Sequence, residues 1–136
     1  MKKIFAITLV CIMAIGLCSC SGGDVSNVSV KEYESDLYTS KEIASAINVA
    51  IKYFKYNFSG CTLTEITYAG DEITEDEKEF ADIHNADEVI VLVSSFDVDS
   101  SGGDGSFNPN STYTGWEWIL VRNNGGKWRH VDHGYA

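Results

Sequence analysis

The chain has 136 residues, of which 10 are basic and 20 are acidic, so its net charge at neutral pH is −10. This length fits one domain, and a hydrophobic content of 44% is enough to build a buried core. The acidic balance argues against binding to nucleic acid, whose phosphates would be repelled.

The first twenty residues have the pattern of an export signal. Lys2 and Lys3 give a basic start, and a mainly apolar run follows over residues 4–17. This run is too short to cross a hydrocarbon core of about 30 Å, which requires roughly 20 apolar residues. A basic start, a short apolar middle and small residues at the end are typical of a cleaved signal peptide.

The end of this segment resembles the lipobox of bacterial lipoprotein precursors, since it reads Leu17-Cys18-Ser19-Cys20. Leu17 stands at −3, small side chains stand at −2 and −1, and Cys20 stands at +1. The resemblance implies that residues 1–19 are removed and that the Cys20 thiol receives a diacylglyceryl group. The protein would then be anchored in the cell membrane on its extracytoplasmic side. The alternative is an ordinary cleaved signal followed by an incidental cysteine.

Removal of residues 1–19 would leave 117 of the 136 residues. Because Lys2 and Lys3 are lost with the signal, eight basic side chains would remain beside 20 acidic ones, a net charge of −12. We therefore expect the body of the protein to stand off an anionic membrane and to leave attachment to the lipid.

Cysteine usage predicts no disulfide framework. Cys11 and Cys18 would leave with the signal and Cys20 would carry the lipid, so Cys61 would stay alone. A single cysteine at the start of a strand-like run is interpreted as a small buried hydrophobe; the alternative is a reactive thiol.

Residues 20–38 are interpreted as the lipidated cysteine and a flexible tether, because they are small, polar or charged and have no useful period. A flexible segment of this length would have a mean reach of about 20–25 Å. Residues 39–136 are expected to form one globular domain.

The first element of this domain is a predicted helix. Thr39 and Glu42 have the spacing of a capping box, and Gly60 supplies the stop. Apolar residues recur at helical spacing over about 19 residues, at Ile43, Ile47, Ile51, Phe54 and Phe58. The pattern indicates an amphipathic helix with one face in the core.

The remaining elements are four predicted strands and one short helix. Residues 61–69 suit a strand with a bulge or an exposed edge, and residues 89–93 suit a strand buried on both faces. A short helix is expected over about 75–85, because a second capping box begins at Thr74. After a glycine-rich loop, two strands at 116–121 and 127–135 flank a hairpin turn, and Trp128 is expected to pack onto the earlier tryptophans.

This order of elements predicts an α+β fold in which a long N-terminal helix packs on a curved, mainly antiparallel sheet. It resembles cystatin-like and NTF2-like domains over residues 39–136. The C-terminal pattern 115–135, with Gly-Trp-Glu-Trp and Asp-His-Gly-Tyr, also resembles small uncharacterised lipoproteins of Firmicutes. That second resemblance implies no particular chemistry.

A calcium site is one hypothesis for the loop at 97–108, whose beginning resembles an EF-hand loop. Carboxylates at positions 1 and 3, a hydroxyl at position 5 and a backbone carbonyl at position 7 could wrap Ca²⁺; the candidate residues are Asp97, Asp99, Ser101, Gly103 and Asp104. Position 12, however, is Asn108 instead of a bidentate Glu. The alternative is a polar loop in which Asp and Asn bond their own backbone. No other cofactor is expected.

The last strand offers a second hypothesis. Alternation places His130 and Asp132 on one face and His133 on the other. A His–Asp pair lining a concave sheet could act as a general acid and base, as comparable groups do in NTF2-like enzymes. The alternatives are a solvated strand end or an ordinary hydrogen-bonded pair, and a metal site through the two histidines is disfavoured because their side chains should diverge.

Two surface patterns have structural explanations beside functional ones. Trp116, Trp118 and Trp128 could form a binding surface or pack across strands. The acidic series over 71–88 could recognise a basic partner or form a solvated face. The sequence thus predicts a non-enzymatic, lipid-anchored binding or accessory module, with an envelope protein or a small ligand as its partner. A small-molecule pocket protein and a calcium-binding domain are the alternatives.

Overall fold

A computed structural model of the chain describes residues 22–135. Its elements are β1 (Ser29–Val30), α1 (Ser40–Asn57), β2 (Cys61–Tyr68), α2 (Asp71–Asp76), α3 (Glu79–Ile83), β3 (Glu88–Val98), β4 (Thr112–Arg122) and β5 (Arg129–Tyr135). The strands form one open sheet in the order β1-β2-β3-β4-β5. The predicted α+β class is therefore confirmed. The described residues include no helix that is both long and apolar enough to span a membrane.

The sheet is an antiparallel meander from β2 to β5, to which β1 adds a short parallel edge. Helix α1 covers one face and encloses the main core, whose largest fully buried side chains include Trp118, Tyr68, Phe54 and Phe96. Helix α3 covers a smaller second core on the other face. Strand β3 contributes to both cores, Ile90 and Leu92 to the first and Val89 and Val91 to the second. Its predicted burial on both faces is confirmed.

Helix α1 begins as its capping box predicts. The Thr39 hydroxyl accepts a hydrogen bond from the Glu42 backbone N–H at 3.1 Å, and the Glu42 carboxylate accepts one from the Thr39 N–H at 3.0 Å. The helix has 18 residues, ends before Phe58, and follows β1 in the chain. The expectation of a long N-terminal helix is therefore wrong in that respect: α1 is the first helix but not the first element.

The predicted short helix over 75–85 is two helices, α2 and α3, separated at Glu77 and Lys78. Thr74 is not a cap but lies inside α2, where it is buried. Its hydroxyl accepts a hydrogen bond from the Val91 backbone N–H at 3.2 Å. The prediction failed because contact with β3 uses the hydroxyl that the capping box required.

The segment before α1 differs from the predicted flexible tether, because its described residues are bonded to the domain. Gly23 donates its N–H to the Lys55 carbonyl at 2.9 Å, and Asp24 donates to the Cys61 carbonyl at 2.8 Å. Farther along, the Asp71 carboxylate accepts hydrogen bonds from the Ser35 hydroxyl at 2.5 Å and from the Tyr68 hydroxyl at 2.7 Å. Short polar residues are typical of a flexible tether, and the sequence is interpreted in that way. The same short side chains also allow the backbone to lie close to an edge strand.

A charged side chain, Arg122, is buried where the end of β4 meets the first turn of α1 and the start of β3. Arg122 is only 6% exposed, and its guanidinium forms ion pairs with Glu42 of α1 and, at 2.6 Å, with Glu88 of β3. It also lies 4.2 Å from the centroid of the Trp128 ring. Hydrogen bonds from the Thr39 backbone and from Arg122 lower the pKa of Glu42 below its ordinary value. Arg122 thus ties α1 to two central strands.

We expect Arg122→Met to lower the free energy of unfolding by about 3 kcal/mol, because two carboxylates lose the cation that compensates their partial burial. Lys127→Met removes a positive charge from the adjacent exposed turn and should change the same quantity by less than about 0.5 kcal/mol. Urea unfolding followed by circular dichroism measures both. Equal effects of the two substitutions would contradict the stabilising role of Arg122.

Candidate functional site

The described residues bring two histidines together at the edge of the sheet. In β5, Asp132 pairs with Ile119 and His130 pairs with Leu120, so Val131 is an extra residue and forms a bulge. A bulge shifts the alternation of side chains by one position. The His130 Nε2 and His133 Nδ1 atoms are consequently 3.0 Å apart.

The predicted pairing of His130 with Asp132 is therefore wrong, as is the prediction that the two histidines diverge. Asp132 is exposed, and its carboxylate accepts a hydrogen bond from the His133 backbone N–H at 2.8 Å. The prediction from simple alternation failed because the residue types around Val131 do not indicate a bulge.

Aromatic side chains surround the histidine pair. The Tyr53 ring of α1 lies 4.1 Å from the His130 ring, measured between centroids, and Trp118 lies 5.2 Å from His133. Tyr53 also lines a shallow surface groove of about 380 Å³, formed by Val49, Lys52, Tyr53, Tyr56, Asn57 and His130. Tyr53 is not among the predicted site residues, although it lies four residues from Val49 and Asn57 and so shares their side of α1.

Burial and the neighbouring His133 lower the pKa of His130 to about 4. Burial also lowers the pKa of His133. Both rings are thus neutral at pH 7, where one ring nitrogen donates to the other. A base with a pKa near 4 is poorly matched to proton transfer at neutral pH, so the arrangement is better suited to packing than to general base catalysis.

The two imidazoles could supply two nitrogen ligands to a transition metal, but a stable site needs three or four. Over residues 22–135, no group of three or more His, Cys, Asp or Glu side chains is placed to hold a metal ion. The pair thus offers a hydrogen-bonded contact point at the end of a groove.

The candidate calcium carboxylates belong to no group of three His, Cys, Asp or Glu side chains that could hold a metal ion within residues 22–135. The Asp97 carboxylate accepts a hydrogen bond from the Thr112 hydroxyl at 2.7 Å, and Asp104 accepts one from the Ser106 hydroxyl at 2.9 Å. Asp99 accepts one from the backbone N–H of Ser101 at 2.8 Å. The loop over 99–111 thus has the local Asp–hydroxyl bonds of the polar-loop alternative.

Gly103, one of the candidate calcium ligands, is closely packed inside this loop. It is buried at a φ of +55°, and a methyl group there would lie 2.7 Å from the Phe107 ring. Close packing of the loop therefore requires glycine at this position, whether or not a cation binds.

The tryptophans are packing residues rather than a binding surface. Trp118 is fully buried and donates its indole N–H to the Ser94 hydroxyl at 2.8 Å. Trp128 packs differently from the prediction, because its ring neighbours are Tyr38 and Arg122 and its N–H donates to the Glu42 carbonyl. Trp116 is partly buried and packs against the main core.

Two cysteines complete the candidate residues. Cys20 lies outside the described residues, so its acylation stays a prediction. Cys61 is buried, as predicted, and burial together with the nearby Asp99 raises the pKa of its thiol to about 11. A thiol with so high a pKa is mostly protonated at neutral pH and is a poor nucleophile.

Comparisons with known proteins give no relative for this chain: no protein-family model matches it, and no curated protein or solved structure is significantly similar to it.

We predict that the histidine pair makes stability depend on pH between about 6.5 and 4. Because the pKa of His130 is lowered on folding, the unfolded chain binds more protons in this window, and stability present above it is lost as the pH falls. Allowing for the partial exposure of the ring, we expect a loss of about 1 kcal/mol between pH 7 and pH 5. Urea unfolding of the chain 20–136 carrying Cys20→Ser measures it.

His130→Phe should abolish most of this loss, because the ring is kept without its titration. His84→Phe is the control, since it removes a histidine outside the pair. A His130→Phe protein that loses as much stability as the parent would show that the pair does not titrate as described.

Proposed function

We propose that this protein is a lipoprotein anchored in the cell membrane through Cys20, whose extracytoplasmic α+β domain is a non-enzymatic binding or accessory module. The observation that carries the proposal is the lipobox-like sequence Leu17-Cys18-Ser19-Cys20 at the end of an export-type signal. Two acyl chains give a stable anchor, since each buried methylene contributes about 0.8 kcal/mol and one chain alone is marginal.

The position of the domain relative to this motif supports the proposal. Gly23, three residues after Cys20, already makes a backbone hydrogen bond to the domain. A lipid on Cys20 would therefore be joined directly to a folded module. Acyl attachment also agrees with the charge of the mature chain, because a net charge of −12 gives no general attraction to anionic lipid.

We further propose that the domain is of the cystatin-like or NTF2-like type. The supporting observation is the order α1, β2, β3, β4, β5, in which one helix lies across an antiparallel meander. The coarse α+β architecture is common to many functions, so this assignment carries no activity with it.

A binding role is favoured over catalysis because side chains fill the interior of the domain. The space between α1 and the sheet contains fully buried aromatic rings, among them Phe54, Phe96 and Trp118. A pocket enzyme of the NTF2-like type would use that concave face for its substrate. Contacts with an envelope protein or a small ligand would then be made by the outer surface of the domain.

We expect Cys20→Ser to prevent acylation and to release the protein from the membrane fraction, because the anchor is the thioether on that thiol. Metabolic labelling with a radioactive fatty acid and partitioning into Triton X-114 measure the two effects separately.

Cys18→Ser is the matched control, since it changes the neighbouring cysteine and leaves a small residue at −2. This variant should be labelled and should partition as the unmodified sequence does. Fatty acid on the Cys20→Ser protein, or its undiminished retention in membranes, would contradict the proposed anchor.

A further inference from the structure

The described chain begins in tight contact with the last turn of α1. Gly23 donates its N–H to the Lys55 carbonyl at 2.9 Å, which caps one of the carbonyls that a helix leaves free at its C-terminal end. The neighbouring Asp24 donates to Cys61 and accepts from Leu63, so this stretch is held by the start of β2 as well.

The contact with the end of α1 leaves no room for a side chain at Gly22 or Gly23. A methyl group at Gly22 would lie 2.3 Å from the Lys55 carbonyl oxygen, and one at Gly23 would lie 2.6 Å from the Phe54 carbonyl oxygen. Both distances are below those that real Cβ atoms show. The two glycines thus allow the backbone to lie directly on the end of the helix.

The link from this contact to the proposed anchor is short. Cys20 precedes Gly22 by two residues, and two residues span at most about 7 Å. The two headgroup layers of a bilayer together are about 10–15 Å thick. The headgroup layer of one leaflet is therefore about as thick as this link is long. A freely moving tether over residues 20–38 would have reached about 20–25 Å. An acyl anchor on Cys20 would therefore hold the end of α1 at the depth of the headgroups.

The surface at this end suits such a position. We call it the α1-end patch and define it as Lys52, Lys55 and Tyr56. Both lysines are exposed, Tyr56 is 65% exposed, and the Lys55 Nζ lies 5.7 Å from the centroid of the Tyr56 ring. Lysine and tyrosine place apolar atoms against lipid while their polar ends stay in the interface.

The charge around the patch differs from that of the whole chain. Residues 43–64 contain no Asp or Glu, although the chain has 20 such residues. Asp24 and Asp99 border this end, and hydrogen bonds from Ser26 and Ser101 lower the pKa values of their carboxyls, so both stay ionised and the positive charge is confined to the patch itself. The patch is thus a cationic area on an otherwise acidic molecule, and anionic headgroups are its complement.

From these contacts we infer that the α1-end patch is seated against the phospholipid headgroups of the membrane that carries the anchor, so that the short Cys20–Gly22 link fixes the orientation of the domain. This inference rests on the proposed acylation of Cys20.

The test compares two positions on one helix in the full-length, membrane-assembled protein. Lys41→Cys and Lys55→Cys place a fluorophore in the first and last turns of α1, which are 14 residues or about 21 Å apart. The acylated proteins are reconstituted in nanodiscs of phosphatidylethanolamine and phosphatidylglycerol that contain a headgroup-linked quencher. The unsubstituted chain, labelled in parallel, corrects for reaction at Cys61.

We expect quenching at position 55 to be several-fold stronger than at position 41. A ten-residue Gly-Ser insertion between Ser21 and Gly22 leaves all described contacts in place, and it should bring the two values close together. An undiminished difference after insertion would overturn the short link as the cause of the orientation.

Mass spectrometry of each preparation separates the two proposals. Equal quenching at both positions in a protein that carries acyl chains on Cys20 would overturn the inferred orientation and leave the anchor standing. Absence of acyl chains from Cys20 would overturn the anchor, and the orientation that rests on it as well.

Discussion

The close packing of Gly22 and Gly23 on the last turn of α1 is the constraint on which this account of the protein depends. The Gly23–Lys55 hydrogen bond is made within three residues of the lipobox-like cysteine. A segment that composition describes as a spacer is thereby part of the domain. Whatever is attached to Cys20 is joined to a rigid body at one defined end of a helix.

The rest of the fold supports the proposal that the domain acts through its surface. Aromatic side chains fill the space between α1 and the sheet, and Arg122 connects the opposite end of α1 to β3 and β4 through Glu42 and Glu88. His130 and His133 are packed as a neutral pair rather than placed beside a carboxylate. These features stabilise one shape, and under the proposed function partners would bind the outer surface.

The sequence predicted those parts of the structure that depend on local patterns. The capping box of Thr39 and Glu42 located the start of α1, and the continuous apolar run in β3 indicated burial on both faces. Contacts between distant segments could not be predicted in this way. The bulge at Val131 brings His133 instead of Asp132 beside His130, and Thr74 uses its hydroxyl for β3 instead of a helix start. Pairings of this kind depend on tertiary packing, which single-residue preferences do not contain.

The most direct measurement is tandem mass spectrometry of the N-terminal peptide of the protein isolated from bacterial membranes. Trypsin should release a peptide covering residues 20–31, because Lys31 is the first cleavage site after Cys20. We expect this peptide to begin at Cys20 and to carry a diacylglyceryl group on the Cys20 sulfur. An unmodified Cys20, or a mature chain that begins at another residue, would contradict the proposed anchor.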